Sequence, residues 1–304
     1  MKNMENLKSL PSQEGRTIIV TGANTGLGYE TALFLAEKGA KVIMACRNLK
    51  KATAAKQKIE QAISTADLEV MEIDLSRLDS VRNFAKTFLS KYDRLDVLIN
   101  NAGVMMPPYT KTDDGFELQF AANYLGHFLL TGLLLDTILK TPDSRIVSLS
   151  SIAHKNGKIN FDDLQSEQKY SASDAYGQSK LACLMFAFEL QRRLEKAGHQ
   201  NTISTAAHPG VSDTELGRHM PKLLFNILRY TVGPFLTHAP KEGAKPTIVA
   251  AIGEAKGGDY FGPTGFSEMK GKPGKAKSTS LANDEAVAKK LWEVSEKLAD
   301  FKYL

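Results

Sequence analysis

Tyr176 and Lys180 stand four residues apart in Ala175–Lys196, a stretch whose pattern predicts a long helix. At that spacing both side chains leave the same helix face. A phenol ordinarily holds its proton to a pH near ~10, and a neighbouring ammonium favours the phenolate. Such a pair can give a proton to an oxygen, or take one from it. A second constellation is Thr21-Gly22-Ala23-Asn24-Thr25-Gly26-Leu27-Gly28, a TGxxxGxG turn. It joins a predicted strand, Arg16–Thr21, to a predicted helix, Glu30–Lys38. Glycines there let the backbone approach a pyrophosphate, whose charge is favoured at a helix N-terminus, so the turn predicts nucleotide binding. At the end of the second predicted strand an acid would hold the ribose hydroxyls of NAD. Cys46 stands in that place and Arg47 follows, so NADP(H) is expected rather than NAD.

These residues need a scaffold, and the chain alternates strand and helix patterns to supply one. Lys41–Ala45, Leu68–Ile73, Val97–Asn100, Arg145–Leu149 and Thr202–Ala206 read as further strands. Between them lie helical stretches at Leu49–Ala62, Leu78–Leu89 and Leu118–Leu139. Such alternation with right-handed crossovers predicts an α/β fold, a doubly wound parallel sheet with helices on both faces. No linker or composition break appears before about Gly257, so a single dinucleotide-binding domain over 1–304 is expected, with its core at about 14–265. Residues 257–280 are Gly/Lys/Pro-rich and read as loop, and 284–298 as a C-terminal helix.

Composition narrows the function classes. The 304 residues carry 39 Lys+Arg against 34 Asp+Glu, a charge of +5 that does not argue for nucleic acid. Hydrophobic content of 42% and charged content of 24% are those of a globular protein. Two distant cysteines, Cys46 and Cys183, exclude a disulfide scaffold and read as small buried fillers. The six histidines show no metal-ligand spacing, so no metal is expected. Met1–Gly15 has no apolar signal region, and no stretch approaches the ~18 apolar residues of a spanning helix. A cytoplasmic location is the expectation.

The motif order resembles the short-chain dehydrogenase/reductase family over nearly the whole chain. After the glycine turn come Asp74-Leu75, Asn100-Asn101-Ala102-Gly103, Asn123, Ser150-Ser151, Tyr176-Gly177-Gln178-Ser179-Lys180, and Pro209-Gly210 with Thr214. ANTGLG, MACRN, Asn-Asn-Ala-Gly-Val-Met and the Ser-Lys-Leu-Ala after Tyr176 look like its retinol-dehydrogenase-like subgroup, near the light-dependent protochlorophyllide reductases and the WW-domain oxidoreductase. The resemblance implies a Rossmann fold of about seven strands, order 3-2-1-4-5-6-7, the seventh near Tyr260-Phe261. It implies a catalytic set of Asn123, Ser151, Tyr176 and Lys180. Ser151 would hold the substrate oxygen; residues leaving a strand alternate faces, so only one of Ser150 and Ser151 can do so. Tyr176 would exchange the proton, Lys180 would also hold the nicotinamide ribose, and Asn123 would position a relay water. Gly22, Asn24, Thr25, Gly26, Leu27 and Gly28 would cradle the pyrophosphate. Asp74 and Leu75 would meet the adenine, Asn101, Ala102 and Gly103 its ribose, and Pro209, Gly210, Val211 and Thr214 the carboxamide end.

The function this implies is NADP(H)-dependent interconversion of an aldehyde or ketone and its alcohol, on a bulky apolar small-molecule substrate. The rivals are a non-catalytic dinucleotide-sensing regulator on the same scaffold and a protochlorophyllide-reductase-like C=C reductase. An extended-family epimerase is disfavoured by the TGxxxGxG spacing. The polar start of the chain lacks the apolar anchor of membrane-bound retinol dehydrogenases, so a soluble relative with broad carbonyl specificity is expected. Residues 152–173 form an insertion expected at the substrate mouth, and 212–250 a substrate lid. Within the latter, Met220–Thr237 reads as lid, core helix or shallow membrane-surface segment. The family commonly pairs through the helices after strands four and five, which leaves a homo-oligomer open.

Overall fold

The computed structural model describes residues 7–211 and 238–304. Eight strands form one sheet: β1 Thr17–Thr21, β2 Lys41–Cys46, β3 Asp67–Glu72, β4 Val97–Asn100, β5 Ser144–Leu149, β6 Thr202–Ala207, β7 Tyr260–Pro263 and β8 Pro273–Lys275. Their order is β3-β2-β1-β4-β5-β6-β7-β8. All neighbours run parallel except β8, which is antiparallel to β7. The expected sequence of seven strands is therefore present, and an eighth closes the edge. That eighth strand lies inside 257–280, which is accordingly not a plain loop. Phe261, Gly262 and Pro263 pair with Lys275, Gly274 and Pro273; Pro273 opens the edge strand and Pro263 ends β7 beyond its pairing with β6, where a missing N–H is tolerated.

Strand residues alternate faces, and the buried residues sort accordingly. Ile18, Val20, Val42 and Met44 face one layer, built from helices α1 Gly26–Glu37, α2 Leu49–Ala62 and α6 Pro240–Ile252. Ile19, Ile43 and Leu98 face the other, built from α3 Leu78–Lys91, α4 Gly126–Lys140, α5 Ala172–Lys196 and α7 Glu285–Ala299. Both faces being covered, the central strands read as continuous apolar runs such as TIIVT and VLIN.

Helix α6 corrects part of the lid expectation for 212–250. Gly243, Ala244 and Pro246–Ile252 are buried, and Ala244, Ile248 and Val249 share a core with Ala32 and Leu35 of α1. Its small and apolar residues let it lie close against α1 as a core helix. Thr214 and Met220–Thr237 lie outside the described residues. Among the described residues, Phe120–Lys140 is the stretch long and apolar enough by composition to cross a membrane, and most of it is buried in the core.

Candidate active site

β1 pairs with β2 on one side and β4 on the other, so the chain order reverses at its end. Such a switch point leaves a crevice beyond the carboxyl ends of the strands. A cleft of about 300 Å³ opens there. Its wall includes Gly22 and Asn24–Gly28 of the glycine turn, Cys46 at the end of β2 and Arg47 after it, and Asp74 and Leu75 after β3. Asn101–Gly103 after β4, Tyr176 and Lys180 of α5, and Pro209 after β6 complete the predicted residues found in it. Gly22 adopts a φ of +68°, and a Cβ at Gly28 would collide with the Gly22 carbonyl. The turn is therefore as tight as glycine allows. Thr25, at the N-cap of α1, makes no side-chain cap, so first-turn N–H groups of α1 are left for another acceptor.

At the mouth, Arg47 is well exposed and its Nη1 lies 3.9 Å from Asp74 Oδ2. Asp74 is the better fixed of the two. Its Oδ1 accepts the Ser76 N–H at 3.0 Å and the Ser76 hydroxyl at 2.6 Å, and its own N–H donates to Ser80 Oγ at 2.9 Å. Among the described residues the guanidinium makes only this long ion pair, so it can meet a further anion. Lys51 lines the cleft beside it, on the first turn of α2, whose N-cap Asn48 accepts the Lys51 N–H at 2.9 Å.

Deeper in, the Lys180 ammonium sits 5.9 Å from the centre of the Tyr176 ring and donates to the Leu149 carbonyl at 3.1 Å. Gly103 permits this: a Cβ there would stand 3.4 Å from Lys180 Nζ and 3.0 Å from Asn123 Oδ1. The adjacent serines divide as alternation requires. Ser150 is buried, and its hydroxyl donates to the Lys180 carbonyl at 2.8 Å. Ser151 is half-buried; its Oγ accepts the Ala153 N–H at 3.2 Å, which leaves its O–H to donate elsewhere.

Asn123 lies behind the cleft wall, buried within Phe120–Leu125, a π-helical segment that runs directly into α4. Its Oδ1 accepts the Val104 N–H at 2.7 Å, and its Nδ2 donates to the Val104 carbonyl at 3.0 Å and to Ser179 Oγ at 2.9 Å. The side chain thus clamps the segment after β4 to α5. Ser151, Asn123, Gly210 and Val211 are the predicted, described residues that the cleft wall does not include. The Val211 N–H reaches the Met269 carbonyl at 2.8 Å, which ties this turn to the β7–β8 hairpin.

Sequence reasoning missed several residues that hold the site. Glu117 is buried, and its carboxylate accepts the N–H groups of Gln119 and Phe120 at 2.9 and 2.7 Å, capping the helix that carries Asn123. Burial raises its carboxyl above the usual range. Glu followed three residues later by an apolar helical run was the available signal. Gln119 Oε1 accepts the Met106 N–H at 2.8 Å. His208 is fully buried, and its Nδ1 accepts the Gly210 N–H at 3.2 Å. Burial lowers this imidazole to about 4, so it is neutral near pH 7.

Residues 16–222 match the family model for short chain dehydrogenase. Human retinol dehydrogenase 13 is 44% identical over 93% of this chain and 84% of its own length. Mouse retinol dehydrogenase 14 is 45% identical over 93% of this chain and 85% of its own. A solved Mycobacterium paratuberculosis protein of uncharacterised function is 40% identical, covers 98% of each chain and has a TM-score of 0.82. The Pseudomonas aeruginosa RhlG/NADP active-site complex shares the fold, with 23% identity, a TM-score of 0.65, and coverage of 82% of this chain and 94% of its own. With its switch-point cleft, glycine turn and Tyr–Lys helix, the chain belongs to the short-chain dehydrogenase family of oxidoreductases, among its retinol-dehydrogenase-like members.

Proposed function

We propose that the protein interconverts a bulky apolar aldehyde or ketone and its alcohol using NADP(H). The observation that carries this is the meeting, in one cleft, of an uncapped helix N-terminus, Arg47, Tyr176 and Lys180. The first two suit a dinucleotide that ends in a 2′-phosphate, and the last two suit proton transfer at its far end. When bound, the nicotinamide supplies or accepts the hydride. The tight Gly22–Gly28 turn and the α1 N–H groups would hold the pyrophosphate, and Arg47 and Lys51 the 2′-phosphate. The NADP in the solved RhlG complex supports a nicotinamide dinucleotide here. Retinol in the names of the relatives supports an apolar alcohol or aldehyde as substrate class.

Each residue of the set then has a separate task. Ser151 donates its free O–H to the carbonyl oxygen and orients it. Tyr176 gives its phenolic proton to the same oxygen as negative charge develops there, and takes it back in the oxidative direction. Lys180 favours the phenolate so left behind and is held in place by the Leu149 carbonyl. Asn123 acts from behind, keeping the segment after β4 and α5 in register.

The test is Tyr176→Phe, with NADPH oxidation followed over aldehydes and ketones of graded size, retinal included. Turnover should fall by roughly 10²- to 10⁴-fold, the usual contribution of a general acid, while NADPH binding by fluorescence is unchanged. Turnover that survives the substitution would refute the proton-donor role.

A further inference from the structure

His127 is 4% exposed and lies one turn after Asn123, yet none of the tasks above uses it. Its Nδ1 is 2.9 Å from the Asn123 carbonyl oxygen, and its Nε2 is 2.9 Å from Thr21 Oγ1. A carbonyl oxygen only accepts, so Nδ1 carries a proton and donates it. Burial, assisted by the nearby Lys180 charge, lowers the imidazole to about 4. The ring is therefore neutral near pH 7, and Nε2 must accept. Its donor is the Thr21 hydroxyl, whose other acceptor, the Ile99 carbonyl, is farther away at 3.3 Å.

Thr21 Oγ1 also accepts the N–H groups of Asn101 and Ala102, each at 2.9 Å. A hydroxyl offers one proton and two lone pairs, and all three are in use. With every donor and acceptor assigned, the chain has a single direction. It runs from the turn after β4, through the end of β1 and the imidazole, to the Asn123 backbone. Beyond that point it enters α5, because Cys183 Sγ donates to the same Asn123 carbonyl at 3.2 Å and Asn123 Nδ2 reaches Ser179 Oγ. Ser179 and Cys183 flank Lys180 on that helix. The brace crosses the π-helical segment, where the Gly126 N–H reaches back five residues to the Ala121 carbonyl. Such wide winding commonly marks functional sites, and here it has a side-chain bond across it.

We propose that His127 is a positioning residue for the oxidoreductase site, tying the cofactor-facing turn Asn101–Gly103 to Asn123 and thence to the Tyr176–Lys180 helix. The proposal rests on the reading of the cleft given under Proposed function. An apolar ring of similar size would fill the space but leave the Thr21 hydroxyl to the more distant Ile99 carbonyl and the Asn123 carbonyl to the weaker Cys183 thiol, cutting the link between them.

The experiment compares His127→Phe, His127→Gln, Thr21→Val and the double variant Thr21→Val/His127→Phe, with ¹⁵N NMR of the histidine rings in the unliganded protein. The wild-type spectrum should show a neutral ring protonated at Nδ1. His127→Phe should weaken NADPH binding and lower kcat by about tenfold each, the scale of one lost hydrogen bond, with carbonyl KM little changed. His127→Gln, whose carboxamide can donate and accept, should recover part of both. Thr21→Val should resemble His127→Phe, and the double variant should be no worse than either alone, because one chain is cut twice. A ring protonated at Nε2, additive effects, or a lowered Tm with NADPH affinity and kcat intact would overturn the proposal. Should the wild type turn over no carbonyl, the functional reading fails, while the tautomer and the NADPH-affinity cycle still decide the role of His127. If His127→Phe does not fold, the Gln variant and the spectrum carry the same decision.

Discussion

Cys46 ends β2 and Arg47 follows it in the cleft wall, and on the proposed reading their chemistry would set the choice between two cofactors that differ by one phosphate. Arg47 is exposed and its Asp74 pairing is long, at 3.9 Å, so little holds the guanidinium back from a 2′-phosphate. Arg47→Ala should therefore lower the NADP/NAD ratio of kcat/KM by about tenfold or more, the scale of one charge-assisted contact. Cys46→Asp, which places an acid beside the ribose, should shift the ratio further the same way. An unchanged ratio in steady-state kinetics would remove Arg47 from the cofactor contacts. This pair was legible in the sequence because both residues are adjacent and end a strand. Tyr176 and Lys180 were legible for the same reason, their relation being local to one helix. Ser151 came from the family resemblance, since strand alternation says only that one of two neighbours can face the site; in the structure the Ser150 hydroxyl is taken up by the Lys180 carbonyl. His127 was illegible because its partner Thr21 lies 106 residues away.

Among the elements, the π-helical segment Phe120–Leu125 carries the heaviest demands. Its start is capped by the buried Glu117 carboxylate, which takes two N–H groups, while Gln119 reaches the Met106 backbone. The cap is the neighbourhood through which Asn123 keeps its grip on Val104. Glu117→Ala should cost about 1–2 kcal/mol, as lost caps do, measured as a lower Tm or denaturant midpoint. It should also lower kcat, because the clamp on Val104 loosens with the helix start. A stability loss with kcat untouched would separate the cap from the site. Sequence periodicity predicted a helix at 118–139 but could not show wide winding, since apolar spacing changes little over a single turn. The same limit explains α6. Its apolar run fits a pocket wall as well as a core helix, and only its burial against Ala32 and Leu35 distinguishes them.

At the scale of the whole molecule, the question is which surface remains for a second copy. The family commonly pairs through the helices after strands four and five, here α4 and α5. In this chain every residue of α5 from Ala175 to Gln191 is already buried. Helix α7 and the residues after it supply the cover. Trp292 stacks on Phe186 at 5.7 Å and meets Phe128 edge-on at 5.1 Å, while Arg193 lies 4.2 Å over its ring. The Tyr124 and Ser295 hydroxyls meet at 2.7 Å, and the Tyr303 hydroxyl donates to the Phe128 carbonyl at 3.1 Å. A helix buried on all sides has no apolar face to offer a partner. The chain should therefore form no α5-paired dimer in sedimentation. Trp292→Ala should cost about 3–5 kcal/mol, the range for a large buried aromatic. It should also uncover the Phe128–Phe186 surface, so that association rises with protein concentration. A wild-type dimer in sedimentation, undisturbed by Trp292→Ala, would mean that copies meet elsewhere and that α7 serves the core alone.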